Sequence, residues 1–384
     1  MMKKKRLAII HTHPVQYNVP WFIKLSEIFD VKVFYTWAPT HEGYWDKKFK
    51  RHIRWDIPLT RGYDHEFVHN ISPRPGPNTL WGTINPGLIR TLLHFEPDYI
   101  LIYGWKNLSH LHAMTYFHGR VPVLFRGDST MLDTSPSPAG RLRSTLLRQV
   151  YKNVDYALYV GTENKKYFLS HGLPSGRLIF VPHAVNNDFF RDSDGRYERQ
   201  AQQWRARLGL DEGNLTFVYA GKFEPKKNLT LLMRAFLDDP HAGHRLLLVG
   251  GGAEEERLRA MAQADKRIIF LPFQNQSQMP VVYRLGHVLI LPSAWGETWG
   301  LAVNEAMACG RAVMTSNKTG CAADLVRQGQ NGYIFDFRDH KQLSSLMQSM
   351  TIKKAQKMGQ ASLEIIKNWT YEAGIINLKK ALNL

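Results

Sequence analysis

The stretch from Leu291 to Gly310, LPSAWGETWGLAVNEAMACG, constrains the fold of this chain more than any other. It follows the apolar run HVLILP (His287 to Pro292), which predicts a buried strand. Ser293 to Glu297 then reads as a polar turn. A helix is expected from Gly300, with Leu301, Ala302, Val303, Ala306 and Met307 as its apolar content. A helix that starts just after a strand presents free backbone N–H groups, here at Gly300, Leu301 and Ala302, and the positive end of its dipole. Such a start is a site for an anion. Two acids, Glu297 in the turn and Glu305 inside the helix, flank it. A diphosphate in the middle, with a sugar on one side and a ribose on the other, suits that arrangement. Without this context, a bare pair of acids would read as solvated surface groups.

The rest of the chain repeats the strand–helix alternation. Arg6 to His11 and Val31 to Trp37 read as strands, with helical periodicity over Trp21 to Phe29 between them. Alternation of this kind predicts parallel βαβ units, whose ligand crevice lies outside the carboxyl ends of the strands. His13, Gln16 and Tyr17, just past the first strand, either face that crevice or form a simple turn around Pro14. Residues 38 to 82 read as an irregular excursion. In it Trp45, Phe49, Trp55 and Tyr63 interleave with Lys47, Lys48, Lys50, Arg51 and Arg54. That mixture suits membrane headgroups, a lipid-linked acceptor or single-stranded nucleic acid, or else pins a loop to its domain. PDYILIYGW (Pro97 to Trp105) and VPVLFRGDS (Val121 to Ser129) are strand-like, and RLRSTLLRQVYKNV is a basic amphipathic helix. A polar helix from Gly195 to Leu208 leads into a strand at Leu215 to Ala220, followed by GKFEPKKNL. The glycine turn in HRLLLVGGGAEEERLRAMA is weak evidence for a nucleotide, because glycines also permit tight turns. The D-x-D at Asp192 to Asp194 lacks a preceding strand and reads as a helix cap rather than a metal site.

A length of 384 residues predicts two or three domains. The formal net charge is +17, and residues 1–205 carry most of the excess, 28 Lys and Arg against 17 acids. The balance favours an anionic partner without choosing among diphosphate, acidic lipid and nucleic acid. Cys309 and Cys321 form no disulfide or metal framework, as expected in a reducing cytosol. The apolar run after the N-terminal basic residues, Leu7 to Ile10, is too short for a secretory leader. No stretch reaches transmembrane length.

The Glu297–Glu305 spacing, with the flanking EAMACGRAV, resembles the E-x(7)-E signature of retaining GT-B glycosyltransferases of glycosyltransferase family 4. GKFEPKKNL resembles that family's diphosphate-gripping loop, with Lys222 and Lys227 as its two cations. The family more often has Arg at the first position, and Lys lacks the bidentate fork of Arg. VPHAVNNDFF stands where the family usually has an Asn-Gly-Val-Asp turn. The family also commonly has a histidine at the end of the strand matching VLFRGD; here Arg126 stands there, with Asp128 two residues on.

The resemblance implies an α/β GT-B architecture: two Rossmann-like domains facing each other across a cleft, with a C-terminal helix crossing back to the first. The corresponding boundaries are 1–205 for an acceptor-binding domain, 206–365 for a nucleotide-sugar-binding domain, and 366–384 for the crossover helix. It implies transfer of a sugar from a nucleotide-diphosphate-sugar to a glycan or lipid-linked acceptor, without metal or other cofactor. A UDP-sugar is favoured over a GDP-sugar. Lys222, Lys227 and the Gly300–Ala302 amides are assigned to the diphosphate, Glu305 to ribose, Glu297 to the donor-sugar hydroxyls, and Trp299 to the donor pocket. His13, Gln16 and either Arg126 or Asp128 are assigned to the sugar or acceptor side. In a retaining hydrolase the residue corresponding to Glu297 would be a nucleophile, and that alternative stays open. The implied setting is bacterial surface-polysaccharide or glycoconjugate synthesis in the cytoplasm, with contact at the inner, anionic face of the membrane. Two alternatives compete: a nucleotide-sugar epimerase or phosphorylase on the same scaffold, and a basic nucleic-acid-binding protein. Paired glutamates and a two-lysine loop argue against nucleic acid.

Overall fold

A computed structural model describes residues 4–38, 44–46, 51–53, 55–134, 137–263 and 265–384. The chain forms two compact units: Met1–Glu42 with Ile57–Pro182 and Tyr371–Leu384, and Gly43–Asp56 with His183–Thr370.

Strands β1 (Arg6–His11) and β2 (Asp30–Tyr35) open the first unit. The short hairpin of β3 (Tyr44–Asp46) and β4 (Arg51–Ile53) follows in sequence but groups with the second unit. Then come β5 (Asp64–Phe67), β6 (Tyr99–Tyr103), β7 (Val123–Arg126), β8 (Tyr156–Tyr159) and β9 (Leu178–Phe180). They make a seven-stranded sheet in the order β5-β2-β1-β6-β7-β8-β9, parallel at every pairing. β1 lies between β2 and β6, with Leu7 opposite both Val31 and Tyr99. Its side chains alternate between two cores. Leu7 and Ile9 pack with Trp21, Phe22 and Leu25 of the helix Val19–Ser26, and with Ile375, Leu378 and Leu382 of the C-terminal helix Tyr371–Leu382. Ala8 and Ile10 pack with Leu88, Leu92, Ala113 and Met114 on the other face. Gly374 lets the C-terminal helix come close, since a Cβ there would stand 3.1 Å from Val181 Cγ1 and 3.2 Å from the Trp21 ring.

The second unit holds β10 (Leu215–Lys222), β11 (His244–Gly251), β12 (Ile268–Leu271), β13 (Val288–Leu291), β14 (Ala312–Ser316) and β15 (Gly332–Phe335). Their order, β12-β11-β10-β13-β14-β15, is that of a doubly wound dinucleotide-type sheet. The strand order reverses between β10 and β13, so the crevice at that switch point opens beside Lys222 and Pro292. Both units are α/β Rossmann-like domains.

Two sequence expectations shift. The division falls after Pro182 rather than at 205, because the helix Arg196–Arg207 is fastened to the second unit: the Arg205 guanidinium donates to the carbonyls of Leu285 and Asn214. The excursion of residues 38 to 82 is also not wholly irregular. β5 lies within it, an edge strand whose DHEF sequence has no apolar alternation because only one side is paired. Within that excursion Lys47, Lys48, Phe49, Lys50 and Arg54 lie outside the described residues. Among the described residues, no helix is long and apolar enough to cross a membrane.

Candidate functional site

At the switch point of the second unit, β10 delivers Lys222 and β13 delivers the turn that carries Glu297. The Tyr219 hydroxyl donates to the Lys222 carbonyl at 2.7 Å, closing the end of β10. The next residues fold into a single 3-10 turn, Pro225–Lys227, and Asn228 follows in the left-handed region at φ 56°. Asn228 Nδ2 holds that bend by donating to the carbonyls of Phe337 (2.8 Å) and Pro292 (3.3 Å), and Ala294 N donates to the Lys226 carbonyl at 2.8 Å. These bonds join the lysine loop to the turn after β13. As a result, Lys227 Nζ forms a tight ion pair with Glu297 Oε2, which also accepts from Ser293 Oγ at 2.9 Å. Both charged side chains are mostly shielded, 16% and 14% exposed. Two residues seventy positions apart in sequence thus meet as a charge pair beside the start of the helix that follows the turn.

The helix itself runs Leu301–Ala308, with Gly300 as its N-cap at φ 101°. Only glycine holds that backbone without strain. The space is also closed: a Cβ on Gly300 would stand 2.8 Å from Leu291 Cδ2 and 3.0 Å from Thr319 Cγ2. Gly320 and Cys321 donate their backbone N–H groups to the carbonyls of Glu297 (3.0 Å) and Trp299 (2.9 Å), which clamps the turn from behind.

Glu305 lies one turn into this helix and is 2% exposed. Its Oε1 accepts from Gln276 Nε2 at 3.0 Å and its Oε2 from the Tyr283 hydroxyl at 2.6 Å. Trp299 is buried. Its indole N–H donates to Asn304 Oδ1 at 2.8 Å, and its ring packs between His183 and Trp369. Its side chain therefore builds the wall behind the turn.

The first unit holds the remaining candidates. His13 and Gln16 lie just past the carboxyl end of β1. The His13 ring meets Trp37 edge-on at 5.2 Å, and burial lowers its pKa to about 4, so it is neutral near pH 7. Arg126, at the end of β7, is turned inward: its guanidinium donates to the carbonyls of Val181 (3.0 Å) and Pro182 (3.4 Å) and is 7% exposed. Burial lowers its pKa, with Tyr103 and Asp128 acting against that. Arg126 thus fixes the last residues of the first unit, and Asp128 is left as the candidate for substrate at that strand end. The D-x-D is a cap: Asp192 accepts from the backbone N–H of Tyr197 (3.0 Å) and Glu198 (2.7 Å), and Asp194 from that of Arg196 (3.1 Å). The glycine turn is a close approach of two strands, since a Cβ on Gly250 would collide with the Gly221 carbonyl at 1.9 Å.

Sequence reading missed Ser293, Gln276, Tyr283 and Tyr219. Ser293 stood inside the recognised turn. The others support the site from separate elements and carry no local motif.

Residues 200–364 match the family of glycosyl transferases group 1. A D-inositol 3-phosphate glycosyltransferase of Rhodococcus opacus (strain B4) is 28% identical over 301 residues, covering 70% of this chain and 64% of the relative. The enzyme of the same name from Mycobacterium sp. (strain KMS) is 30% identical over 238 residues, covering 59% and 52%. The chain therefore spans less than two thirds of the length of these curated relatives. Among solved structures, Anabaena Alr3699/HepE in complex with UDP and glucose superposes with a TM-score of 0.73 at 15% identity, over 99% of both chains. The sucrose-phosphate synthase of Thermosynechococcus elongatus gives 0.72 at 17% identity, over 99% of this chain and 98% of that one. At these identities the structures speak for the fold. Through residues 200–364 the chain is similar to the group 1 glycosyl transferases, and its two Rossmann-like domains match those of solved structures of GT-B fold.

Proposed function

We propose that the chain is a retaining glycosyltransferase that moves a sugar from a nucleotide-diphosphate-sugar, with a UDP-sugar favoured, to a glycan or lipid-linked acceptor, without a metal. The observation that carries this reading is the Lys227–Glu297 pair beside the Gly300 helix start at the switch point of the second unit. A leaving diphosphate gains charge in the transition state. Lys222, Lys227 and the amides of Gly300, Leu301 and Ala302 supply fixed positive groups for it. Glu297 accepts hydroxyl hydrogens from the donor sugar, and Lys227 and Ser293 hold its carboxylate in place. Glu305 accepts from the ribose while Gln276 and Tyr283 orient it. The leaving phosphate takes the acceptor proton, so the protein's part is position and electrostatics. Anabaena Alr3699/HepE is solved with UDP, with UDP and glucose, and with UDP-glucose, which supports a uridine donor here. His13, Gln16 and Asp128 are assigned to the acceptor.

We further place the enzyme in the cytoplasm at an anionic membrane face, serving surface-polysaccharide or glycoconjugate synthesis. The helix Pro138–Tyr151 supports this, because Leu142 and Leu146 are 74% and 54% exposed between Arg141, Arg143 and Arg148. Apolar side chains ringed by cations suit acidic headgroups.

The deciding experiment is a thermal-shift panel of uridine, guanosine, adenosine and thymidine diphosphates and their sugar conjugates. Selective stabilisation by one nucleotide, lost in Lys222→Ala, is expected. A flat panel on a folded protein overturns the reading.

A further inference from the structure

A second cluster of chemistry-bearing side chains lies at the opposite end of the same sheet. After the helix Leu229–Leu237 the chain turns through Asp239, Pro240, His241, Ala242 and Gly243 into β11, whose first residue is His244. The Asp239 carboxylate is buried at 1% exposure and faces both histidines at once: Oδ1 lies 2.7 Å from His241 Nδ1, and Oδ2 lies 2.5 Å from His244 Nδ1. The two imidazoles stack with centroids 4.6 Å apart and planes at 19°. One ligand atom from each of the three residues lies within 4.8 Å of the other two. Active-site residues Lys222 and Glu297 gather at the carboxyl ends of the strands, whereas this cluster sits at the amino end of β11. Sugar transfer therefore has no use for it.

From this geometry we infer that Asp239, His241 and His244 form a structural binding site for a borderline divalent cation such as zinc, cobalt or nickel. Two imidazole nitrogens and one carboxylate oxygen are the donor set these ions take, with water completing the shell. Metal–ligand bonds of about 2.0–2.2 Å in tetrahedral geometry would open the present N···O separations by about 0.7–0.9 Å, within reach of side-chain rotation. All three ligands come from one short turn, so little chain entropy is lost in bringing them together. The turn is also fixed from outside. The Arg267 guanidinium donates to the Asp239 carbonyl at 2.6 Å and to the His241 carbonyl at 3.4 Å, and Phe217 packs edge-on against the His244 ring at 5.6 Å. His241, with its side chain 49% exposed, leaves an entry path from solvent. Binding would release the Nδ1 protons of both histidines. It would tie the end of Leu229–Leu237, which follows the lysine loop, to the edge of β11.

The test uses the full, untagged chain stripped with a chelator, titrated with cobalt(II) and, in competition with a chromophoric chelator, with zinc(II). One tight equivalent is expected, with cobalt ligand-field absorption of a nitrogen-containing site. His241→Asn, at an exposed position that leaves the fold intact, should lower zinc affinity by about tenfold or more and remove the cobalt bands. His244→Asn should do the same wherever its far-UV spectrum matches wild type. Equal affinity and equal spectra for wild type and His241→Asn overturn the site, because binding then belongs to other histidines. Nucleotide binding, read separately by thermal shift, is unaffected by His241→Asn whichever way the metal result falls.

Discussion

Glu305 shows how a residue can be easy to find in the sequence and still hard to test. The resemblance of the Glu297–Glu305 stretch to the family motif assigns it to ribose, yet it is buried and accepts from Gln276 and Tyr283. Glu305→Ala would leave a buried hydroxyl and a buried amide without their acceptor, at a cost of about 1–3 kcal/mol each. We expect this variant to lose thermal stability before any nucleotide is added. Combined with Tyr283→Phe, it should lose less than the sum of the two single changes; strict additivity would show that the hydrogen bond carries no weight. Lys227 is the cleaner probe. It lies on a turn with no fully buried residue although its own side chain is mostly shielded against Glu297, and Lys227→Ala should move the melting temperature of the free protein by no more than about 3 °C while abolishing the shift given by nucleoside diphosphate. A retained shift would remove Lys227 from the diphosphate site. Residue types at the site were legible because strand, turn and helix lie in one short stretch. The supporting shell was not, because Tyr219, Gln276 and Tyr283 reach it from three other elements. Arg126 shows the reverse: its place at a strand end suggested substrate contact, but its guanidinium goes to the Val181 and Pro182 carbonyls, which only the tertiary fold brings near.

At the scale of elements, the close packing of backbone explains several glycines. The helix Ile352–Ile366 crosses the chain just after Leu301–Ala308, where a Cβ on Gly359 would stand 2.0 Å from the Gly310 carbonyl. Backbone cannot yield as a flexible side chain can, so Gly359→Ala should force the helix away and cost about 1–3 kcal/mol. Because Gly310 ends the helix that begins at Gly300, the same change should also weaken nucleotide binding. Urea unfolding with and without nucleotide separates the two effects, and wild-type behaviour in both would show that the contact is soft. The helix Pro138–Tyr151 carries the membrane proposal. Leu142→Asp with Leu146→Asp should leave stability within about 0.5 kcal/mol, since both side chains are largely exposed, and should lower co-sedimentation with acidic liposomes. Unchanged sedimentation would remove that helix from the interface. Periodicity revealed this helix and most of the interior strands, whose two buried faces give continuous apolar runs. It failed at β5, where an edge position relaxes the need for apolar residues on both faces.

Over the whole molecule, the buried histidines set a pH limit on folding. His110 is fully buried. Its Nδ1–H donates to the Tyr103 carbonyl at 2.9 Å, so Nε2 accepts from Thr36 Oγ1 at 3.1 Å. Burial lowers its pKa to about 4, with those carbonyl bonds acting against the shift. His11, on β1, is also lowered, by burial first and then by His13 and His110. In the second unit His287, whose Nδ1 accepts from Thr216 N at 3.1 Å, is lowered to about 3 by burial, Arg205 and Arg311. In the unfolded chain each titrates near the ordinary histidine value of about 6.5. Between that value and the folded one the unfolded state binds more protons, so stability rises with pH through the window. It is therefore fully present above about pH 6.5 and is lost progressively as pH falls toward 4. His110 alone accounts for about 3 kcal/mol of that loss. Histidines of this kind occur in both units, so acid weakens each of them. Urea midpoints measured from pH 7.5 to 4.5 should fall steadily in wild type and less steeply in His110→Gln, which keeps a polar side chain without an ionising ring. Parallel slopes for the two proteins would show that His110 stays protonated or unprotonated alike in the folded and unfolded states, and that the acid sensitivity comes from elsewhere.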